Sequence, residues 1–248
     1  MTQVVPESSA LPSALPVLKA QNVEVVKGRR KILNVPEIHV NPGEVLAVIG
    51  PNGAGKSTLI SVMACLDTPQ RGDVLFKGEK VTRQNALSIR RRMAVVFQEP
   101  LLLDGTVRDN VKLGLSLRKI SSDDGRVDTW LTRFGLTQLA GQLVDTLSGG
   151  EAQRAALARA FVLEPEVLFL DEPFASVDVI TRQDLVAQFR EILREQQTTT
   201  VLVTHDFAEV QALASRVVVL AGGQVQCEGK PEEIRNHPVW QSLTQRVT

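Results

Sequence analysis

Residues 45–58 run from an apolar stretch, Val45-Leu46-Ala47-Val48-Ile49, straight into Gly50-Pro51-Asn52-Gly53-Ala54-Gly55-Lys56-Ser57-Thr58. The apolar run is too short for a helix and reads as a buried strand. The eight residues after it, Gly50 to Ser57, fit G-x-x-x-x-G-K-[ST] without a gap. No other stretch restricts the fold as much, because strand, tight turn and helix must succeed one another so that the turn's N–H groups converge on an anion. Gly50, Gly53 and Gly55 permit the turn, and a helix opening near Lys56 adds its dipole to the same point. Lys56 supplies a charge for terminal phosphates, and Ser57 a hydroxyl for magnesium. The plain alternative is a glycine-rich turn that only joins a strand to a helix.

Composition narrows the partners. Across 248 residues, 28 Lys+Arg balance 28 Asp+Glu. A net charge of zero argues against nucleic acid as a partner and against broad binding to an anionic membrane surface. Arg90-Arg91-Arg92 is either a local basic patch or a solvated helix face. Cys65 and Cys227 are far apart without metal-ligand spacing, and are expected as reduced, small core residues. No apolar run approaches the length of a membrane span, and the amino terminus lacks the basic-then-apolar order of an export signal.

Along the chain, residues 1–16 are rich in Pro, Ser and Ala without periodicity and are expected as a flexible tail. Residues 17–248 read as a single domain. Leu18 to Val26 and Lys31 to Val40 are strand-like around a Lys27-Gly28 turn, predicting an antiparallel edge. Leu59, Ile60, Met63 and Leu66 recur at helical spacing and should pack the helix after the turn onto the sheet, with Asp67-Thr68-Pro69 ending it. Gly72 to Val81 reads as a hairpin turning at Lys77-Gly78. Met93 to Phe97 is another buried strand. A helical subdomain is expected over about 99–158, before short apolar runs at 167–170, 200–204 and 217–220 resume the alternation of a largely parallel sheet. The predicted class is α/β: a phosphate-loop core, an antiparallel edge and an inserted helical part.

Two further stretches carry chemistry. Val167-Leu168-Phe169-Leu170-Asp171-Glu172-Pro173 delivers two acids to the carboxyl end of a strand, the edge where open α/β sheets bind ligands. Asp171 can hold magnesium through its water, and Glu172 can orient or deprotonate an attacking water. A solvated turn is the alternative. In Leu147-Ser148-Gly149-Gly150-Glu151, the Ser148 and Glu151 spacing is that of a capping box opening a helix. That helix is either an ordinary capped one or a second anion site, the glycines letting a phosphate approach its open N–H groups.

Taken together, GPNGAGKST, Gln98 after VVF, LSGGEAQR, VLFLDEP, Ala175-Ser176-Val177-Asp178 and His205 after VLVT resemble, in order and spacing, the ATP-binding subunit of an ABC transporter. The resemblance covers roughly residues 17 to 235, and the LSGG stretch is its most specific part. It implies ATP and Mg²⁺ as cofactors, with residues 50–58 around the nucleotide and Ser57, Gln98 and Asp171 around the metal. It also implies an ATP-dependent, head-to-tail homodimer, in which Ser148, Gly149, Gly150 and Glu151 of one subunit meet the ATP of the other. Glu172 is then the catalytic base, His205 holds the γ-phosphate, Asp178 communicates between sites, and Gln98 links metal and water to a transmembrane partner. Without the resemblance, Gln98 reads as a strand-end cap and His205 as a packed strand-end histidine.

The importer type is implied, with transmembrane permease subunits as direct partners, a solute-binding protein acting indirectly, and a place on the cytoplasmic face of the cell membrane. FQEPLLLDGTVRDNV is similar to importers of oxyanions such as tungstate, molybdate or phosphate. A soluble ATPase driving cofactor assembly is the alternative. The sequence departs from the family where an aromatic residue usually stacks on adenine: it has no Tyr, and Val25, Val26 and Lys27 predict an aliphatic contact instead. With so few residues after Trp240, the regulatory domain that some importer subunits append is not expected. Leu101-Leu102-Leu103 is expected either as core or as the lining of a groove for a permease helix.

Overall fold

The computed structural model describes residues 15–121 and 125–244, so the expected tail, apart from Leu15 and Pro16, lies outside the described residues. Strands β1 (Leu18–Lys27) and β2 (Arg30–Val40) form a hairpin whose alternation turns Leu18, Ala20, Val23 and Val25 into the same core as Leu33, Val35, Ile38 and Val40. Pro36 is exposed on β2, and β2 is the edge strand, where a missing N–H is tolerated. Strand β3 (Val45–Ile49) and helix α1 (Lys56–Met63) follow.

Leu59, Ile60 and Met63 are buried on α1, but Leu66 is 45% exposed and does not belong to that face. The helix stops early because Cys65 takes a left-handed conformation and the Leu66 N–H bonds back to the Ser61 carbonyl, closing the last turn. Strands β4 (Arg71–Phe76) and β5 (Glu79–Lys80) make the expected hairpin, with Lys77 and Gly78 both at positive φ as its two-residue turn requires.

Helix α2 (Ala86–Arg90) and strand β6 (Met93–Val96) lead into α3 (Val107–Leu117), α4 (Arg126–Arg133) and α5 (Gly149–Phe161). Then come β7 (Val167–Asp171), α6 (Val179–Gln196), β8 (Thr199–Val203), α7 (Phe207–Leu213), β9 (Arg216–Ala221), β10 (Gln224–Gly229), α8 (Pro231–Arg235) and α9 (Pro238–Thr244).

The strands form an antiparallel sheet, β2-β1-β4-β5, and a six-stranded sheet, β10-β9-β3-β8-β7-β6, parallel except for β10. Helix α1 touches both sheets. The interior parallel strands are covered on both faces, which is why their sequences are continuous apolar runs. Their shared direction brings the carboxyl ends of β3, β6, β7 and β8 to one edge. The helices between β6 and β7 have an aromatic centre of their own: Trp130 stacks on Phe161 at 4.8 Å, and Phe189 of α6 meets Phe161 edge-on at 5.7 Å. Cys65 and Cys227 are free thiols, half-buried and packed against the margins of apolar clusters rather than fully inside them. Arg92 pairs with Glu166 and lies 4.5 Å over the Phe76 ring, so the arginine triplet is not uniformly solvated.

Candidate functional site

Gly50 follows β3 with its α-carbon so close to β9 that an added Cβ would lie 1.9 Å from the Leu220 carbonyl oxygen. Gly55, at φ 101°, precedes α1 where a Cβ would strike the Leu33 side chain at 2.7 Å. Both positions therefore exclude a side chain, and together they press the phosphate loop between the parallel sheet and the β1–β2 hairpin. Lys56 folds back over this loop and donates to the carbonyls of Gly50 at 2.8 Å and Pro51 at 3.2 Å. Burial lowers its pKa, and the carboxylates of Glu172 and Asp171 act against that shift.

The loop opens onto a cavity of about 370 Å³ lined by residues 52–58 with Lys27, Arg30, Ile32, Gln98, Asp171 and Glu172. Parallel strands explain the meeting: Gln98 follows β6, and Asp171 and Glu172 lie at the end of β7. Asp171 is buried. Glu172 has a left-handed backbone, φ 51°, which is costly for a residue with a Cβ. Its N–H is held by the Val203 carbonyl at 2.9 Å, and its Oε2 meets His205 Nδ1 at 2.5 Å. The His205 ring is otherwise mostly exposed, so it is not a packed strand-end histidine. Ser57, Asp171 and Gln98 offer hard oxygen donors on one cavity wall beside a phosphate cradle, a set that suits Mg²⁺ with most of its water retained.

Ser148, Gly149, Gly150 and Glu151 are elsewhere. Ser148 caps α5 in a reciprocal box: its hydroxyl accepts from Glu151 N–H at 3.4 Å, and the Glu151 carboxylate accepts from Ser148 N–H at 2.8 Å. The Ser148 hydroxyl also donates to the Glu151 carboxylate at 2.7 Å, and this bond, followed by the one from the Ser148 N–H, holds the Glu151 carboxyl below its ordinary pKa. All four residues line a second cavity of about 420 Å³ with Arg154, Ser176 and Asp178. A Cβ on Gly149 would lie 3.1 Å from the Ser176 carbonyl, so close packing of the 173–178 loop is one local reason for that glycine. The sequence-predicted residues thus divide: residues 52–58, Gln98, Asp171, Glu172 and, through Glu172, His205 share one site, whereas Ser148 to Glu151 and Asp178 share another.

Several expectations change. Val25 is buried in the hairpin core and Val26 does not line the first cavity; of the three residues expected near adenine only Lys27 does, joined by Arg30 and Ile32 of β2. Leu101 and Leu103 are each 57% exposed, which removes them from the core, while Leu102 packs partly against it. Sequence reading passed over the residues that hold these loops. Arg159 of α5 donates to the carbonyls of Pro100 at 2.8 Å and Leu101 at 2.9 Å. Asn110, buried, both accepts from Leu103 N–H and donates to its carbonyl. Thr204 and Glu209 form a buried pair beside His205. A polar residue on the inward face of a helix, such as Asn110 or Glu209, is the signal that points to such holds.

A family model described as "ABC transporter" matches residues 33–175. Relatives include sulfate/thiosulfate import ATP-binding proteins from Mesostigma viride, 38% identical over 88% of this chain and 63% of that protein, and Thermosynechococcus vestitus, 39% over 88% and 65%. A probable sulfate/thiosulfate import ATP-binding protein from Chlorella vulgaris is 36% identical over 88% of this chain and 93% of its own length. The chain thus spans a little under two thirds of the first two relatives. Among solved structures, cbiO1 from Clostridium perfringens, part of an ABC transporter complex, superposes with TM-score 0.81 at 30% identity, covering 94% of this chain and 96% of that one. A dimeric bacterial ABC transporter cassette gives 0.78 at 29% identity, covering 86% and 98%.

Proposed function

The chain belongs to the ABC transporter family, and on that premise we propose that it is the ATP-hydrolysing subunit of a membrane importer whose cargo is an oxyanion. The observation that carries this reading is the split between the two cavities. One has the phosphate loop, an oxygen-donor wall and a base, but no LSGG helix; the other has the LSGG helix without a phosphate loop. Each is half of a site that two copies complete by head-to-tail pairing. A dimeric cassette among the structural neighbours supports the pairing of two copies.

In this reading residues 50–58 bind the nucleotide phosphates through backbone N–H groups, with Lys56 leaving the loop carbonyls to meet the terminal phosphate. Ser57, Asp171 and Gln98 would hold Mg²⁺, which when bound would neutralise phosphate charge during transfer. Glu172 accepts the proton of the attacking water, and His205, bonded to it, faces the γ-phosphate. Ser148 and the open N–H groups of Gly149 and Gly150 close on that phosphate from the second copy. Glu151 holds Ser148 in its cap. Lys27, Arg30 and Ile32 contact the base end of the nucleotide. Dimer closure on binding and reopening after hydrolysis then drive permease subunits at the membrane's cytoplasmic face, and a solute-binding protein delivers the cargo to them.

The oxyanion class is supported by two observations: the FQEPLLLDGTVRDNV stretch, and relatives whose names specify sulfate and thiosulfate import. The test is to purify membrane proteins held by a tagged chain from a detergent extract, reconstitute them with it, and follow ATP-driven uptake of radiolabelled sulfate, thiosulfate, molybdate, tungstate and phosphate. Uptake of at least one supports the reading. Recovery of no multi-span protein, or uptake of none of these anions, contradicts it.

A further inference from the structure

Resting on the ATPase reading above, we propose that Glu209 is a positioning residue that sets His205 against Glu172 through the hydroxyl of Thr204. The His205 side chain is 66% exposed and its ring bonds to Glu172, so the ring's place depends on the backbone turn that carries it between β8 and α7. Thr204 and Glu209 pin that turn. The Thr204 hydroxyl donates to Glu209 Oε2 at 2.6 Å and accepts from the Asp206 N–H at 3.0 Å, bridging the residues on either side of His205. Asp206 then caps α7 through the Ala208 N–H at 2.8 Å.

Thr204 is 1% exposed and Glu209 4%. An apolar side chain at that depth would cost the fold less than an acid. What the acid adds is a fixed acceptor for the hydroxyl. Burial pushes its pKa up to about 7, Asp206 and Glu172 oppose its ionisation, and Arg182 favours it. The hold therefore relies on an oxygen acceptor more than on full charge. Arg182 extends the device, lying 3.7 Å from Asp206 and donating to the Val177 carbonyl at 2.9 Å, which joins the His205 turn to the loop beside the second cavity.

Steady-state ATP hydrolysis by the purified chain tests this. Glu209→Ala and Thr204→Val should lower kcat by roughly ten- to a hundredfold, the scale of a small misplacement near the chemistry, with KM for ATP within about threefold. Glu209→Gln and Thr204→Ser, which keep an acceptor and a donor, should stay within about threefold of wild type. In a His205→Ala background, Glu209→Ala should cost less than about twofold more, because its effect passes through the missing ring. If Glu209→Ala does not fold, Thr204→Val removes the same bond at nearly constant volume and decides the question. Wild-type kcat in Thr204→Val, or full multiplication of losses in the double variant, overturns the role. An inactive wild-type chain overturns the ATPase reading and this role with it, whereas active wild type with multiplying losses overturns this role alone.

Discussion

Glu172 stands on a backbone conformation that L-residues avoid, at the end of a buried strand, with its carboxylate against His205 and its side chain on the phosphate-loop cavity. A solvated turn acid would need none of this, and strain of this kind gathers where a side chain must be aimed. Glu172→Gln should therefore bind ATP with magnesium about as tightly as wild type while its turnover falls by about 10²- to 10⁴-fold, the usual cost of losing a positioned base. Equilibrium nucleotide binding and single-turnover hydrolysis, measured side by side, check this; turnover within about threefold of wild type removes Glu172 from the chemistry. Glu209 bears on stability. With its folded pKa raised from 4.5 to about 7, the folded chain holds a proton that the unfolded chain has released, so this group's contribution declines as pH rises from about 4.5 through 7. Glu209→Gln should match wild type near pH 4 and exceed it at pH 8 by up to roughly 3 kcal/mol in urea unfolding. A gap independent of pH would show that the acid is not proton-linked to folding.

At the scale of elements, α5 works as a rod with a task at each end. Its amino terminus presents Ser148 in a closed capping box, and Arg159, near its other end, grips the carbonyls of Pro100 and Leu101 in the segment after Gln98. Asn110 fixes the same segment from α3, leaving Leu101 and Leu103 exposed as an apolar surface. In the importer reading this surface receives a permease helix. Leu101→Asp with Leu103→Asp should leave the unfolding midpoint and the isolated chain's ATP hydrolysis near wild type, since exposed sites usually shift stability by less than about 0.5 kcal/mol. Co-purification with permease subunits should be lost. Unfolding of the double variant would place these leucines in the core after all.

The same elements separate what sequence can tell from what it cannot. The capping box at Ser148 and Glu151, the strand ending in Asp171 and the Lys77-Gly78 turn depend on residues within one turn or one strand end, so local spacing reveals them. Arg159 reaches carbonyls 58 and 59 residues away, and Arg30 and Ile32 reach the cavity only through the β1–β2 register. Leu66 looks helical by period, but the left-handed Cys65 turns the chain before it. Such outcomes depend on packing between distant segments, which no window of sequence contains.

For the whole molecule, the central claim is that two incomplete cavities on one chain make complete sites only across a pair of chains. Lys56→Ala disables a chain's own phosphate loop, and Ser148→Arg blocks the helix it offers to a partner, so each mutant homodimer holds two defective sites. In a mixed dimer both defects fall on one site, and the other combines an intact loop with an intact LSGG helix. The most direct measurement is ATP·Mg²⁺-dependent association of the two differently labelled variants, followed by energy transfer, with ATP hydrolysis recorded alongside. Head-to-tail completion predicts that ATP·Mg²⁺ drives mixed pairs together more strongly than either variant's self-association. Mixed pairing no stronger than self-association would contradict it and return the LSGG helix to an ordinary capped helix within one chain.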